Sequence, residues 1–135
     1  MTELGFSYSQ PFQYRWTDKY LSTGMFDVTP GVPTVFTIGG EDYTVLLPVQ
    51  GDGVRGVIIA DPCFTNEFVW CSFGEKLDTF NRTTALLNAI NGHTDVHFWS
   101  VLGDNFYDVS GEPSSVWFAA LSPDSKAKVF GTVPG

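Results

Sequence analysis

A mixed α/β domain is predicted by three features of the chain. Two β-branched and aromatic runs, Thr34-Val35-Phe36-Thr37-Ile38 and Tyr43-Thr44-Val45-Leu46-Leu47, are joined through Gly39-Gly40-Glu41-Asp42, which is a hairpin signal. Apolar runs at 54–60 and 96–102 flank a helical pattern, and that order describes a β-α-β unit. Each of those two runs stops at an aspartate, Asp61 in one case and Asp104 in the other.

Taken in order, residues 1–33 scatter Tyr8, Phe12, Tyr14, Trp16, Tyr20 and Phe26 among Pro11, Pro30 and Pro33 without a sustained period. An irregular or edge-strand segment is expected there, packing its aromatics on a neighbouring core. With the hairpin it forms a β-rich lead-in over 1–50. Gly51-Asp52-Gly53 then breaks the chain before 54–60, whose continuous apolar character suits a strand buried on both faces. Pro62 cannot donate into a ladder and turns the chain out, which places Asp61 at the strand's carboxyl end.

A helix is expected to begin near Asp78 or Asn81, either of which can cap it, and to run through Ile90. Leu86, Leu87 and Ile90 are spaced to share one face, and Gly92 offers a left-handed stop. The strand at 96–102 follows. Pro113 suits the first position of a second helix over 114–121, which Ser122-Pro123 would end, and 127–133 reads as a further strand. The order is a β-rich start followed by β-α-β-α-β over 51–135, within one domain of 135 residues.

Composition narrows the function. Hydrophobic residues at 43% and aromatics at 16% are those of a chain with a packed core, and 14 Gly with 8 Pro imply many turns. A net charge of -8 opposes nucleic-acid phosphates and anionic membranes, so neither is an expected partner. No window approaches the roughly 18 apolar residues of a membrane span, and Met1-Thr2-Glu3-Leu4-Gly5 lacks the basic start of a signal peptide. Cys63 and Cys71 are placed to close one short loop, and Asn81-Arg82-Thr83 is a glycosylation sequon. Together these lean towards a secreted or lumenal glycoprotein in mature form, with an intracellular chain as the alternative.

Ligands of parallel α/β sheets gather outside the carboxyl ends of the strands, and both Asp61 and Asp104 meet that condition. Two carboxylates brought together repel one another, and a divalent or trivalent cation offsets the repulsion. Either aspartate could instead cap a turn or helix, and Asp61 taken by itself fits that reading. His93 and His97 belong at the other end of the second strand, because seven steps at about 3.3 Å put His97 roughly 23 Å from Asp104. Ser100, Ser110, Ser114 and Ser115 then have no histidine within reach for a triad. No basic neighbour activates Cys63 as a nucleophile.

The strand entering Gly103-Asp104-Asn105-Phe106-Tyr107 matches glycine-aspartate-x-x-tyrosine at each defined position. In this it resembles the metallophosphoesterases, and among them the purple acid phosphatases. The resemblance covers about residues 54–135 and implies the first half of a metallophosphoesterase sheet sandwich. It further implies a dinuclear centre of iron with iron, zinc or manganese, acting on a phosphate ester. Asp104 would bridge the two ions, Tyr107 would bind the ferric ion with its phenolate, Asp61 would bind the same iron, and Asn105 would orient the turn. Pro62-Cys63 depart from the family's pattern after the first aspartate. In that family a strand like 129–133 leads to an asparagine ligand and later histidines, whereas here the sequence ends at Gly135. The expectation is therefore a phosphatase fragment whose site needs a C-terminal half or a second chain. The alternative is a non-catalytic scaffold without metal that binds a protein partner.

Overall fold

The computed structural model describes residues 12–13, 20–21, 24–65, 69–71, 74–104 and 111–133. It is a mixed α/β structure with two antiparallel strand pairs and one three-stranded parallel sheet. The first pair is β1 (Phe12–Gln13) with β2 (Tyr20–Leu21), and the second is β3 (Thr34–Ile38) with β4 (Glu41–Val45). The second hairpin turns on Gly39 and Gly40 alone, both at positive φ, where glycine meets no Cβ penalty. Strand β4 accordingly starts and ends two residues earlier than the sequence pattern suggests. Phe36 is buried on this hairpin with its ring centroid 3.9 Å from that of Phe26, which remains 44% exposed.

The parallel sheet is formed by β5 (Gly56–Ala60), β6 (Phe98–Leu102) and β7 (Val129–Val133), in that spatial order. Register pairs Ala60 with Leu102 and Leu102 with Val133, so all three strands end level. The long connection from β5 carries the short α1 (Gly74–Leu77) and then α2 (Thr79–Asn91). The connection from β6 carries α3 (Glu112–Ala120), with Pro113 in its first turn, and the short α4 (Pro123–Lys126). Ser122 does not simply end a helix: its hydroxyl accepts the Ser125 N–H at 3.2 Å and caps α4.

One face of the sheet carries the core. Val57, Ile59, Trp99 and Val101 share that face by register, and they pack with Phe64, Phe80, Leu87, Trp117, Phe118 and Leu121. The face of α2 turned inward is Thr84, Leu87 and Asn91, at three- and four-residue spacing, while Leu86 is 53% exposed. Leu86 was expected on the buried face; it lies about 100° around the helix from Leu87 and so leaves it. Gly92 also differs from expectation, having right-handed helical φ of -65° with its N–H donating to Asn88 O. Asp78 stands before α2 in left-handed backbone and offers no side-chain cap, its carboxylate accepting instead from the Asn81 amide at 3.0 Å. Asn88 fastens the two later helices: its Oδ1 accepts from Ser122 N–H and Ser125 hydroxyl, and its Nδ2 donates to Ala120 O.

The opposite face is open. Ile58 is 58% exposed and Leu102, Val129 and Val133 lie between 42% and 53%, although β5 was expected to be buried on both faces. Apolar character on both sides of a strand reports what the sheet can bury, not what covers it among these residues. On this open face the Phe98 ring lies across its register partner Gly56, and a Cβ there would collide with the ring. Gly56→Ala is expected to cost about 1–3 kcal/mol by forcing the ring aside. Urea unfolding checks this, and the same substitution in a Phe98→Ala background should cost clearly less.

Candidate metal centre at the carboxyl rim

The carboxyl ends of β5 and β6 carry the two aspartates. Asp61 follows Ala60 directly, and Asp104 follows Leu102 after Gly103, on hydrogen-bonded neighbouring strands. Such strands run about 4.8 Å apart. Both aspartates are exposed and hold left-handed backbone, with φ of 47° at Asp61 and 44° at Asp104. Non-glycine residues seldom adopt this conformation, and aspartate is among the few that tolerate it. Each strand is thus followed by an aspartate in left-handed backbone. The third strand reaches the same place: Gly103 N–H donates to Val133 O at 3.2 Å, carrying the β6–β7 ladder to the rim.

The loop behind Asp61 is anchored from three directions. Cys63 N–H donates to Asp61 O at 2.8 Å, and Cys63 is disulfide-bonded to Cys71, as the cysteine pair suggested. Thr79 at the start of α2 donates its hydroxyl to Cys63 O, and Cys71 N–H donates to Thr65 Oγ1. Phe64 is buried against Phe80 and Trp117, with centroids 5.3 and 5.8 Å away. Sequence reasoning gave Phe64 no part in holding the rim; an aromatic beside a cysteine in a short loop was the available signal. Because the bridge spans only eight positions, chain entropy predicts that the Cys63→Ser, Cys71→Ser double variant loses about 2–3 kcal/mol. The shift in the urea midpoint measures it.

The histidines occupy the other rim. His97 precedes β6, where its N–H donates to Arg55 O and its Nδ1 accepts from Arg55 N–H at 3.1 Å. His93 O accepts from Lys128 Nζ. Arg55 also pairs with Asp95, and its hydrogen bond holds the Asp95 carboxyl below the usual aspartate range. These groups knit the amino ends of the strands. Asn105 and Tyr107 lie outside the described residues. Asn81 is exposed on the first turn of α2, and its amide donates to the Asp78 carboxylate.

Among the described residues no group of three or more His, Cys, Asp or Glu side chains is placed to hold a metal ion. None of their helices is long and apolar enough to cross a membrane. No family model, curated protein or solved structure matches the chain. Two hard carboxylates at one rim suit a hard cation, and they are too few donors for two ions.

Proposed function

We propose that the carboxyl rim of β5 and β6 is part of a dinuclear metal site for phosphate ester hydrolysis of the purple acid phosphatase type. The observation that carries this reading is the placement of Asp61 and Asp104 one and two residues beyond the level ends of adjacent parallel strands, each in left-handed backbone. The Gly103-Asp104-Asn105-Phe106-Tyr107 motif supports it. The open apolar sheet face and the exposed edge strand β7 support completion of the fold and site by donors beyond these 135 residues, from a further segment or a second chain.

In this reading Asp104 and Asp61 supply the carboxylate oxygens, Tyr107 supplies a phenolate oxygen, and Asn105 orients the turn. When bound, a metal pair supplies a hydroxide nucleophile and offsets charge on the phosphoryl group. The protein's own contribution is positional. Left-handed backbone, the Gly103 to Val133 hydrogen bond and the disulfide loop hold the backbone that carries the two aspartates, and an ordered backbone supports a specific coordination geometry.

The test compares two preparations. The 135-residue chain alone should hydrolyse p-nitrophenyl phosphate no faster than buffer holding the same metal. A preparation joined to the completing segment should turn over and bind about two metal ions. Absence of both metal and turnover in the completed preparation would favour the non-catalytic scaffold instead.

A further inference from the structure

Asn81-Arg82-Thr83 takes no part in the rim chemistry, and it is the chain's one asparagine sequon. Asn81 and Arg82 are exposed on the first turn of α2, while Thr84, Leu87 and Asn91 fill the buried side of that helix. Ala85 and Ala89 follow Asn81 at four-residue steps along the same line and are exposed as well. They leave room beside Asn81. Arg82 is the single charged residue of α2, whereas the outward side of a surface helix ordinarily carries several charges. The Asn81 amide donates to the two carboxylate oxygens of Asp78 at 3.0 and 3.2 Å. An amide that bears a sugar keeps one N–H, which is enough for that contact.

We propose that Asn81 carries an asparagine-linked oligosaccharide and that the outward side of α2 is a sugar-covered surface. The Cys63–Cys71 disulfide supports the route this requires, because disulfides persist in oxidising compartments and asparagine-linked sugars are attached in the secretory one. The donor is an oligosaccharide on a lipid pyrophosphate. Asn81 Nδ2 bonds to the anomeric carbon of the sugar, the bond from that carbon to the pyrophosphate oxygen breaks, and the lipid pyrophosphate leaves with the electron pair. The amide gives one proton to a base of the transferring enzyme. Residues two apart stand about 200° around a helix, and Thr83 is half-buried where Asn81 is exposed. The enzyme therefore meets both residues before α2 forms, and the finished helix holds the sugar outward. A glycan is bulky and solubilising, so no partner docks on this side of α2. A completing segment is left the opposite side of the molecule, where Ile58 and Leu102 are exposed on the open sheet face. The proposal is independent of the metal reading.

The experiment is mass spectrometry of the peptide spanning Asn81 and Thr83, taken from the native protein before and after the amidase that releases asparagine-linked sugars. The expected result is a glycopeptide that loses one oligosaccharide and reads aspartate at position 81 after release. In the chain secreted from a eukaryotic host, Asn81→Gln and Thr83→Ala should each abolish the sugar, and Arg82→Lys should keep it. Thr83→Ala retains the Asn81 contact to Asp78, so it reports on attachment even where Asn81→Gln disturbs folding. An unmodified native peptide, or a sugar that survives Thr83→Ala, would overturn the proposal and leave the metal reading untouched.

Discussion

Replacing Trp99 by alanine is expected to remove about 3–5 kcal/mol of stability. Trp99 is 1% exposed on the middle strand of the parallel sheet. Its ring meets Trp117 edge-on at 5.6 Å, Phe118 at 6.0 Å and Phe130 at 4.2 Å, so truncation empties the junction between the sheet and α3. Its indole N–H also donates to Ser125 O at 2.9 Å, and that bond ties β6 to α4. Against the roughly 5–15 kcal/mol that holds an ordinary domain, such a loss leaves little margin. Urea unfolding followed by circular dichroism measures it. Trp99→Phe should keep most of the packing and lose about 1–2 kcal/mol, chiefly the hydrogen bond and the residual cavity.

In a preparation that turns over p-nitrophenyl phosphate, Asp104→Asn is expected to reduce that turnover by about 100-fold or more, since even outer groups around metal ligands are worth 10- to 100-fold. Asparagine suits the test because it tolerates the left-handed backbone that Asp104 holds at φ of 44°. The turn should therefore persist, and the loss should report the missing charge. The unfolding free energy from urea titration should stay within about 0.5 kcal/mol of the parent, as for an exposed position without structural burden. An equal loss of stability would assign Asp104 to the turn and not to the chemistry.

The residues that fixed strand and turn positions were legible because their reasons are local. Pro62 ends β5, Gly39 and Gly40 close the hairpin, Pro113 opens α3, and the level ends of β5 and β6 follow from sequential parallel strands. What escaped the sequence depends on neighbours far along the chain. Whether Ile58 is covered, and which of Leu86 and Leu87 faces inward, are settled by packing that a one-dimensional pattern does not contain. Ser122 looked like a helix end, and its capping of α4 needed only the Ser125 N–H three residues on. At the candidate site the two aspartates and the cysteine pair were readable from strand ends and spacing. The anchoring by Phe64 and the exposure of Trp70 were not, since the aromatics of one loop look alike until the core chooses among them.

The most direct measurement is the effect of Mn²⁺ on the amide signals of the isotopically labelled chain, since this ion broadens nearby resonances wherever it resides. If the rim is a cation site, broadening should centre on Asp61, Gly103 and Asp104 at low ion concentration, spare Arg55, Asp95 and His97 at the amino rim, and disappear from the carboxyl rim in the Asp61→Asn, Asp104→Asn double variant. Broadening centred instead on Glu41 and Asp42 of the hairpin or on Asp52, with Asp61 and Asp104 left sharp, would contradict a metal site at the ends of β5 and β6.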